Sequence, residues 1–303
     1  MSYSDTTCPG YYCGRTLLPD GKLSDCGACP RGSRRNDTNF LCEPCLDTPT
    51  FYDWFYLGFN VLLVLVLHLS FIDMVIMRRR FNKAIIILHT TAILEVIISG
   101  IVSLLLMHPQ GEFKINICKV RNLADWYTLW QNPSPNYEKQ IYCTQEAVYP
   151  LYTIVFVFHV CALFSMLLIR PWICRIYYPM QSKMSVYAAM YFIPILMVVH
   201  ALIGGLLYYS FPYLIVILSV ISCASHFAKK LDQSAASLMI TTVLVPRNMI
   251  IVIGHWIMHA YGIISITQLT NPTDHALLIL LIPVPTLFYI CTAKFTDPSK
   301  FHV

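Results

Sequence analysis

Charge is what this chain of 303 residues has least of: Asp, Glu, Lys and Arg together make up 12% of it. A soluble domain carries about 25%, so half the usual charge cannot keep this surface in water. Hydrophobic residues account for 56% of the chain, and the mean hydropathy is +0.58. The net charge of +5 is spread along the chain with no long basic tract, which argues against nucleic-acid binding. Met1–Cys13 is polar and lacks the apolar core of a cleavable signal. No phosphate-binding loop, nucleophile elbow or kinase signature occurs. The C-terminus, Ser299-Lys300-Phe301-His302-Val303, is not an Asp-Glu-Leu-type retrieval signal. Together these absences exclude a soluble enzyme, a disordered regulator and a nucleic-acid binder. They leave a multi-pass membrane protein whose first span serves as its targeting signal.

Crossing a hydrocarbon core ~30 Å thick takes about 20 helical residues. Seven apolar runs approach that length: Phe55–Met77, Ala84–Met107, Val148–Ile169, Ser185–Tyr209, Pro212–Ala228, Met249–Leu269 and Ala276–Ala293. They are continuous rather than alternating, which indicates helices and not barrel strands. The fold class is therefore all-α, a seven-helix bundle, with six spans as the alternative count. Only Ser210 and Phe211 separate the fourth and fifth runs, so a tight hairpin is expected there. The short links on one side hold Arg78, Arg79, Arg80, Lys83, Arg170, Arg175, Lys183, Lys229, Lys230, Arg247, Lys294 and Lys300, which is 12 of the 21 basic residues. Positive residues stay in the cytosol, so the N-terminus is expected outside the cytosol and the C-terminus within it. The chain then divides into a cysteine-rich module at 1–50, a bundle at 51–293 with an outside loop at 108–147 and a cytosolic segment at 229–248, and a short tail at 294–303.

Six of the twelve cysteines fall in the module: Cys8, Cys13, Cys26, Cys29, Cys42 and Cys45, spaced C-x4-C-x12-C-x2-C-x12-C-x2-C. In the cytosol two C-x2-C pairs would suit tetrahedral zinc. Outside it the same pattern is a disulfide framework for a segment too small to bury a core. Asn36-Asp37-Thr38 between the pairs is a usable glycosylation acceptor; Asn132-Pro133-Ser134 and Asn271-Pro272-Thr273 are excluded by proline. The sequon, the topology and the even count favour disulfides, and six cysteines allow 15 pairings. Cys118 and Cys143 sit in the outside loop, where a bridge between them would close a lid. That lid carries Trp126, Tyr127, Trp130 and Tyr137, residue types that favour the membrane interface.

Polar groups inside the runs are the next signal. Thr91, Glu95, Ser99 and Ser103 recur every four residues and form one stripe on the second helix. An unpaired carboxylate at mid-membrane costs ~2.5 kcal/mol or more, so the stripe must face other helices or water. His200 lies in the fourth run, and His255 and His259 are one turn apart in the sixth. Two histidines at that spacing can bind one metal, and Glu95 or His200 as a third ligand would give an intramembrane metal hydrolase. The plainer reading is a pair of neutral histidines hydrogen-bonded across the bundle. Ala201, Gly205, Gly254 and Gly262 are expected to admit close helix approach, and Pro194, Pro283 and Pro285 to loosen their helices. On the cytosolic side the largest piece is Lys229–Asn248. Leu231, Ala235, Leu238, Met239 and Thr242 there follow helical spacing, so Lys229, Lys230, Leu231, Leu238 and Met239 are the candidate partner-docking residues, although such a stripe more often lies on the membrane lipid surface or against the bundle.

Several stretches carry a resemblance. They include Cys8-Pro9-Gly10-Tyr11-Tyr12-Cys13-Gly14, Asp53-Trp54-Phe55-Tyr56-Leu57-Gly58-Phe59, Cys143-Thr144-Gln145-Glu146-Ala147-Val148-Tyr149-Pro150 and His259-Ala260-Tyr261-Gly262. Across essentially its whole length the chain resembles the Jun N-terminal kinase-associated membrane protein family. The resemblance implies a seven-pass endoplasmic reticulum protein that supports disposal of misfolded proteins. Such a protein brings proteasomes and membrane ubiquitin ligases to the membrane and associates with Jun N-terminal kinase during stress. It brings no catalytic residue, cofactor or metal. A cell-surface receptor with the cysteine module as ectodomain is a further possibility.

Overall fold

The computed structural model describes residues 7–76, 83–131, 142–177, 183–230 and 232–296. Arg78, Arg79 and Arg80, the Asn132–Lys139 stretch, Leu231 and the tail beyond Thr296 lie outside the described residues. Two compact units divide the chain, Met1–Leu207 and Tyr208–Val303.

The first unit opens with the cysteine module. Its strands are only two or three residues long: β1 (Cys13–Gly14) pairs antiparallel with β2 (Gly27–Ala28), and β3 (Ser33–Arg35) with β4 (Cys42–Pro44). Ladders this short cannot hold a fold, and covalent bonds do so instead. Cys8–Cys26 and Cys29–Cys42 close loops within the module. Gly14 permits this packing, because a Cβ there would lie 2.6 Å from Cys42 Sγ and 2.8 Å from Cys29 Sγ.

The 108–147 loop is not closed upon itself. The expected Cys118–Cys143 bridge is replaced by Cys13–Cys143 and Cys45–Cys118, with separations of 130 and 73 residues. The reason lies in main-chain pairing. Ile117 N–H donates to the Asp47 carbonyl at 2.8 Å, which brings Cys118 beside Cys45. Module and loop are thus one folded body, and each long bridge restricts the unfolded chain by about 4–5 kcal/mol in the loop-entropy picture.

Three long helices follow the module: α1 (Phe51–Ile76), α2 (Lys83–Leu105) and α3 (Leu151–Tyr177). A capping box sets the start of α1. Thr50 N–H and Oγ1–H donate to Asp53 Oδ2 at 2.7 Å, and Asp53 N–H donates to Thr50 Oγ1 at 3.2 Å. The core of this unit joins Val64, Val96, Phe158, Ala162, Met166, Ala189, Phe192 and Ile193. On α2 the polar stripe faces inward while Ile93, Leu94, Ile97, Ile98 and Ile101 are exposed. Apolar residues outside and polar ones within is the arrangement expected where the solvent is lipid.

α4 (Lys183–Ala228) takes in both the fourth and fifth apolar runs. The hairpin expected at Ser210-Phe211 is absent, since both residues are helical. The chain breaks instead at Ile203 (φ −126°, ψ 21°), leaving stretches 183–202 and 204–228 that are each about long enough to cross a bilayer. The break immediately precedes Gly204-Gly205.

In the second unit, α5 (Ala235–Leu244), α6 (Pro246–Thr267), α7 (Pro272–Ile279) and α8 (Val284–Thr296) accompany the end of α4. Cys223, Phe227, Leu238, Val252, Ile290 and Ala293 form its core. Gly262 packs tightly on α4, where a Cβ would lie 2.5 Å from Val216, whereas Gly254 faces open space. The seventh run is not one helix: it divides between α7 and α8 just before Pro283 and Pro285. Among the described residues, five helices are long and apolar enough to cross a membrane, with α4 one of them.

Candidate functional site

Glu95, the carboxylate in the middle of α2, is buried, and so is its partner. Arg170 Nε donates to Glu95 Oε1 at 3.2 Å and Nη2 to Oε2. Arg170 does not belong to a cytosolic link: α3 continues past Pro171 to Tyr177, so Arg170 sits inside the helix. The rest of the stripe is satisfied locally. Thr91 Oγ1 donates to the Ile87 carbonyl at 2.7 Å, Ser99 Oγ to the Glu95 carbonyl at 2.6 Å and Ser103 Oγ to the Gly100 carbonyl at 2.8 Å. Ser99 also reaches across, to Ser165 Oγ at 2.9 Å. The stripe is a helix-to-helix seam.

His200 is a second seam. Its Nε2 is 3.1 Å from the Tyr152 carbonyl and its Nδ1 3.3 Å from the Tyr56 hydroxyl, so α1, α3 and α4 meet on one imidazole. The ring sits among Trp126, Tyr152 and Phe156. Gly204 and Gly205 make room for this cluster. A Cβ on Gly204 would lie 3.2 Å from the imidazole, and one on Gly205 would lie 2.7 Å from Trp126 Cβ. The aromatic lid therefore sits directly on the α4 backbone.

Asp125 anchors that lid, and sequence reading alone missed it. Oδ1 accepts from the Tyr12 hydroxyl at 2.9 Å and from Arg34 Nη2 at 2.9 Å. Oδ2 accepts from the Arg121 and Asn122 main-chain N–H groups at 2.8 and 3.2 Å. Burial, then the Asp125 hydrogen bond, holds the Tyr12 phenol well above its usual pKa. Nearby, Glu146 accepts from Thr153 N–H and Oγ1–H, and burial pushes its carboxyl up. Asn36, the glycosylation candidate, stands in the turn between β3 and β4. Its Oδ1 accepts from Thr38 N–H at 2.9 Å, and its Nδ2 donates to Glu43 at 2.9 Å.

The histidine pair of α6 finds serines on α4. His259 Nδ1 is 2.8 Å from Ser219 Oγ, and His255 Nε2 is 2.8 Å from Ser222 Oγ. The Ser219–His259 pair does not have the polarity of a nucleophile and its base. Ser219 donates its proton to the Val216 carbonyl at 2.7 Å, which makes His259 the donor to the serine oxygen. His255 Nδ1 lacks the hydrogen-bonded third group that would orient it as a base. With Glu95 taken by Arg170, no group of three or more His, Cys, Asp or Glu side chains among the described residues is placed to hold a metal.

The docking candidates fall on opposite sides of α5. Leu238 is buried in the core of the second unit and offers nothing to a partner. Met239 is exposed, together with Ile240, Val243 and Leu244. Lys229 is exposed, while Lys230 Nζ donates to Asn248 Oδ1 at 2.5 Å. Burial and the neighbouring Arg247 depress the Lys230 ammonium pKa. Helical spacing was visible in the sequence, but which side of the helix the core takes was not.

The match to known proteins runs through both units. The family model of the JNK1/MAPK8-associated membrane protein, JAMP, matches residues 8–298. The chain belongs to this family. JNK1/MAPK8-associated membrane proteins of Mus musculus and Homo sapiens are each 42% identical to it over 302 residues, covering 97% of this chain and 94% of theirs. The Caenorhabditis elegans homolog is 31% identical over 310 residues, with the same coverage. No solved structure matches the chain. The JAMP match takes in the eight disulfide-bonded cysteines, the Glu95–Arg170 pair and α5 alike. These JAMP relatives are named as associated membrane proteins rather than as enzymes.

Proposed function

We propose that this chain is a non-enzymatic scaffold of the endoplasmic reticulum membrane, with its cysteine module in the lumen and its C-terminus in the cytosol. It supports endoplasmic reticulum-associated degradation by bringing proteasomes and membrane ubiquitin ligases to the membrane, and it links that work to Jun N-terminal kinase and the unfolded protein response. The observation that carries this reading is kinship over 97% of the chain to proteins named for their association with JNK1/MAPK8. The site chemistry agrees with it. The Glu95 and His259 groups are engaged in bonds that hold helices together, as expected of a body whose task is to present surfaces. Docking is assigned to the outward side of α5, with Met239 at its centre and Lys229 beside it. Short segments held at fixed spacing on one bundle let weak contacts add through effective concentration. Asn36 carries the lumenal glycan.

The test is mass spectrometry of proteins that co-purify with the full chain in mild detergent, before and after endoplasmic reticulum stress. Proteasome subunits, ubiquitin ligases and the kinase are expected in the stressed sample, together with a high-mannose glycan at Asn36. Their absence under both conditions overturns the scaffold reading. A complex-type glycan moves the protein to the cell surface.

A further inference from the structure

α1, α2 and α3 line a half-open cavity of about 210 Å³ in the half of the first unit nearest the cysteine module. Trp54 and Val61 line it from α1, Gly100 and Ser103 from α2, and Val155 and Phe158 from α3. Gly100 opens the space, since a Cβ there would meet nothing within 4 Å. Asn60 and Ser103 are polar members of the wall, and each spends a proton on a main-chain carbonyl. Asn60 Nδ2 donates to the Tyr56 carbonyl at 2.9 Å, and Ser103 Oγ–H to the Gly100 carbonyl at 2.8 Å. The wall is otherwise hydrocarbon.

A space of this size does not stay empty at no cost, because its lining forfeits dispersion contacts. Water does not fill it well, since a buried water needs two to four polar partners. The outward faces beside the cavity, Ile97 and Ile101 among them, are exposed apolar surface on a membrane-spanning helix, so the medium at its mouth is lipid tails. Lipid tails gain nothing from the hydrophobic effect by entering. The gain is packing, and a flexible chain can shape itself to an irregular slot. A rigid sterol nucleus cannot reshape itself to the slot in this way.

We propose that this cavity is a lipid-binding site that holds one acyl chain of a phospholipid from the leaflet on the cysteine-module side. The chain wedges between α1 and α3 and completes the packing of the first unit. The proposal is independent of the scaffold reading.

The test uses the full chain reconstituted in phosphatidylcholine vesicles with a trace of phosphatidylcholine bearing a diazirine in one acyl chain. After irradiation, label is expected on the inward wall at Val155 and Phe158 as well as on outward Ile97 and Ile101. Gly100→Phe fills the cavity from α2, and Val155→Trp fills it from α3. In either variant the inward label is expected to fall about tenfold, equivalent to roughly 1.4 kcal/mol of lost packing, with the outward label unchanged. Intact disulfides and an unchanged melting temperature identify which variant has folded, and wild-type labelling stands alone if neither does. Label confined to outward residues overturns the proposal. So does inward label that persists in a folded variant, or that is displaced by a sterol but not by unlabelled phosphatidylcholine.

Discussion

Arg170 grips Glu95 through two guanidinium nitrogens, and both side chains are buried between α2 and α3. A pair of this kind is a weak source of net stability, because both charges gave up water to meet. Its force is felt when one member is removed. Arg170→Ala leaves a carboxylate stranded in the membrane, and thermal unfolding in detergent is expected to show a loss of about 3 kcal/mol or more. The double replacement Glu95→Leu with Arg170→Leu is expected to recover most of that loss. A double variant as unstable as the single one would show that the pair does more than cancel its own charges.

The disulfide pattern can be checked directly. Peptide mapping without reduction is expected to recover Cys13 joined to Cys143 and Cys45 joined to Cys118. Cys45→Ser should then leave Cys118 as a free thiol. A Cys118–Cys143 peptide would instead make the loop a separate lid, and the union of module and loop would fail.

Much of this architecture was legible in the sequence because it is written in composition and period. The long apolar runs, the cysteine spacing and the inward stripe from Thr91 to Ser103 all follow from local rules. What was not legible depends on pairs far apart in the chain. Arg170 reads as one more positive residue beside a span until α3 is seen to run past Pro171. Cys118 and Cys143 look like natural partners until the Asp47–Ile117 bridge sets Cys118 beside Cys45, while Cys143 joins Cys13. The break at Ile203 was misplaced to Ser210-Phe211 because those two residues are all that separates the fourth and fifth apolar runs. The observed break lies beside Gly204-Gly205, where Trp126 packs against the α4 backbone.

That contact gives a third prediction. Gly205→Val adds atoms where Trp126 Cβ already stands 2.7 Å from an ideal Cβ, so the lid must shift. Overpacking of this kind costs about 1–3 kcal/mol. Limited proteolysis is expected to cut the loop near Trp126 faster in Gly205→Val than in the parent chain. An unchanged cutting rate would mean that Asp125 and the two long disulfides hold the lid without this contact.

The Tyr12–Asp125 bond makes the module sensitive to alkali. A phenol whose folded pKa is raised keeps its proton while the unfolded chain, with a tyrosine near pH 10, has lost it. Above about pH 10 the folded state therefore binds more protons than the unfolded state, and stability falls as pH rises. Unfolding of the module followed by near-ultraviolet circular dichroism is expected to show this loss in the parent chain and less of it in Tyr12→Phe. Equal pH dependence in both would remove Tyr12 as its source.

α5 separates stability from recruitment, since its two sides do different work. Leu238 lies against Phe227, Val252 and Ile290, and Leu238→Ala is expected to lower stability by about 2–4 kcal/mol through the cavity it leaves. Met239 is exposed, and Met239→Glu is expected to leave the melting temperature within the scatter of surface changes. If the outward side docks a partner, Met239→Glu reduces co-purification of proteasome subunits while the protein stays folded, and Val243→Glu does the same. If that side instead lies in lipid, a charge there disturbs membrane insertion. Accessibility of Val243→Cys to a membrane-impermeant maleimide distinguishes the two cases. Rapid labelling from the cytosolic side supports docking, whereas a protected thiol assigns the outward side of α5 to the bilayer and moves the recruitment surface elsewhere.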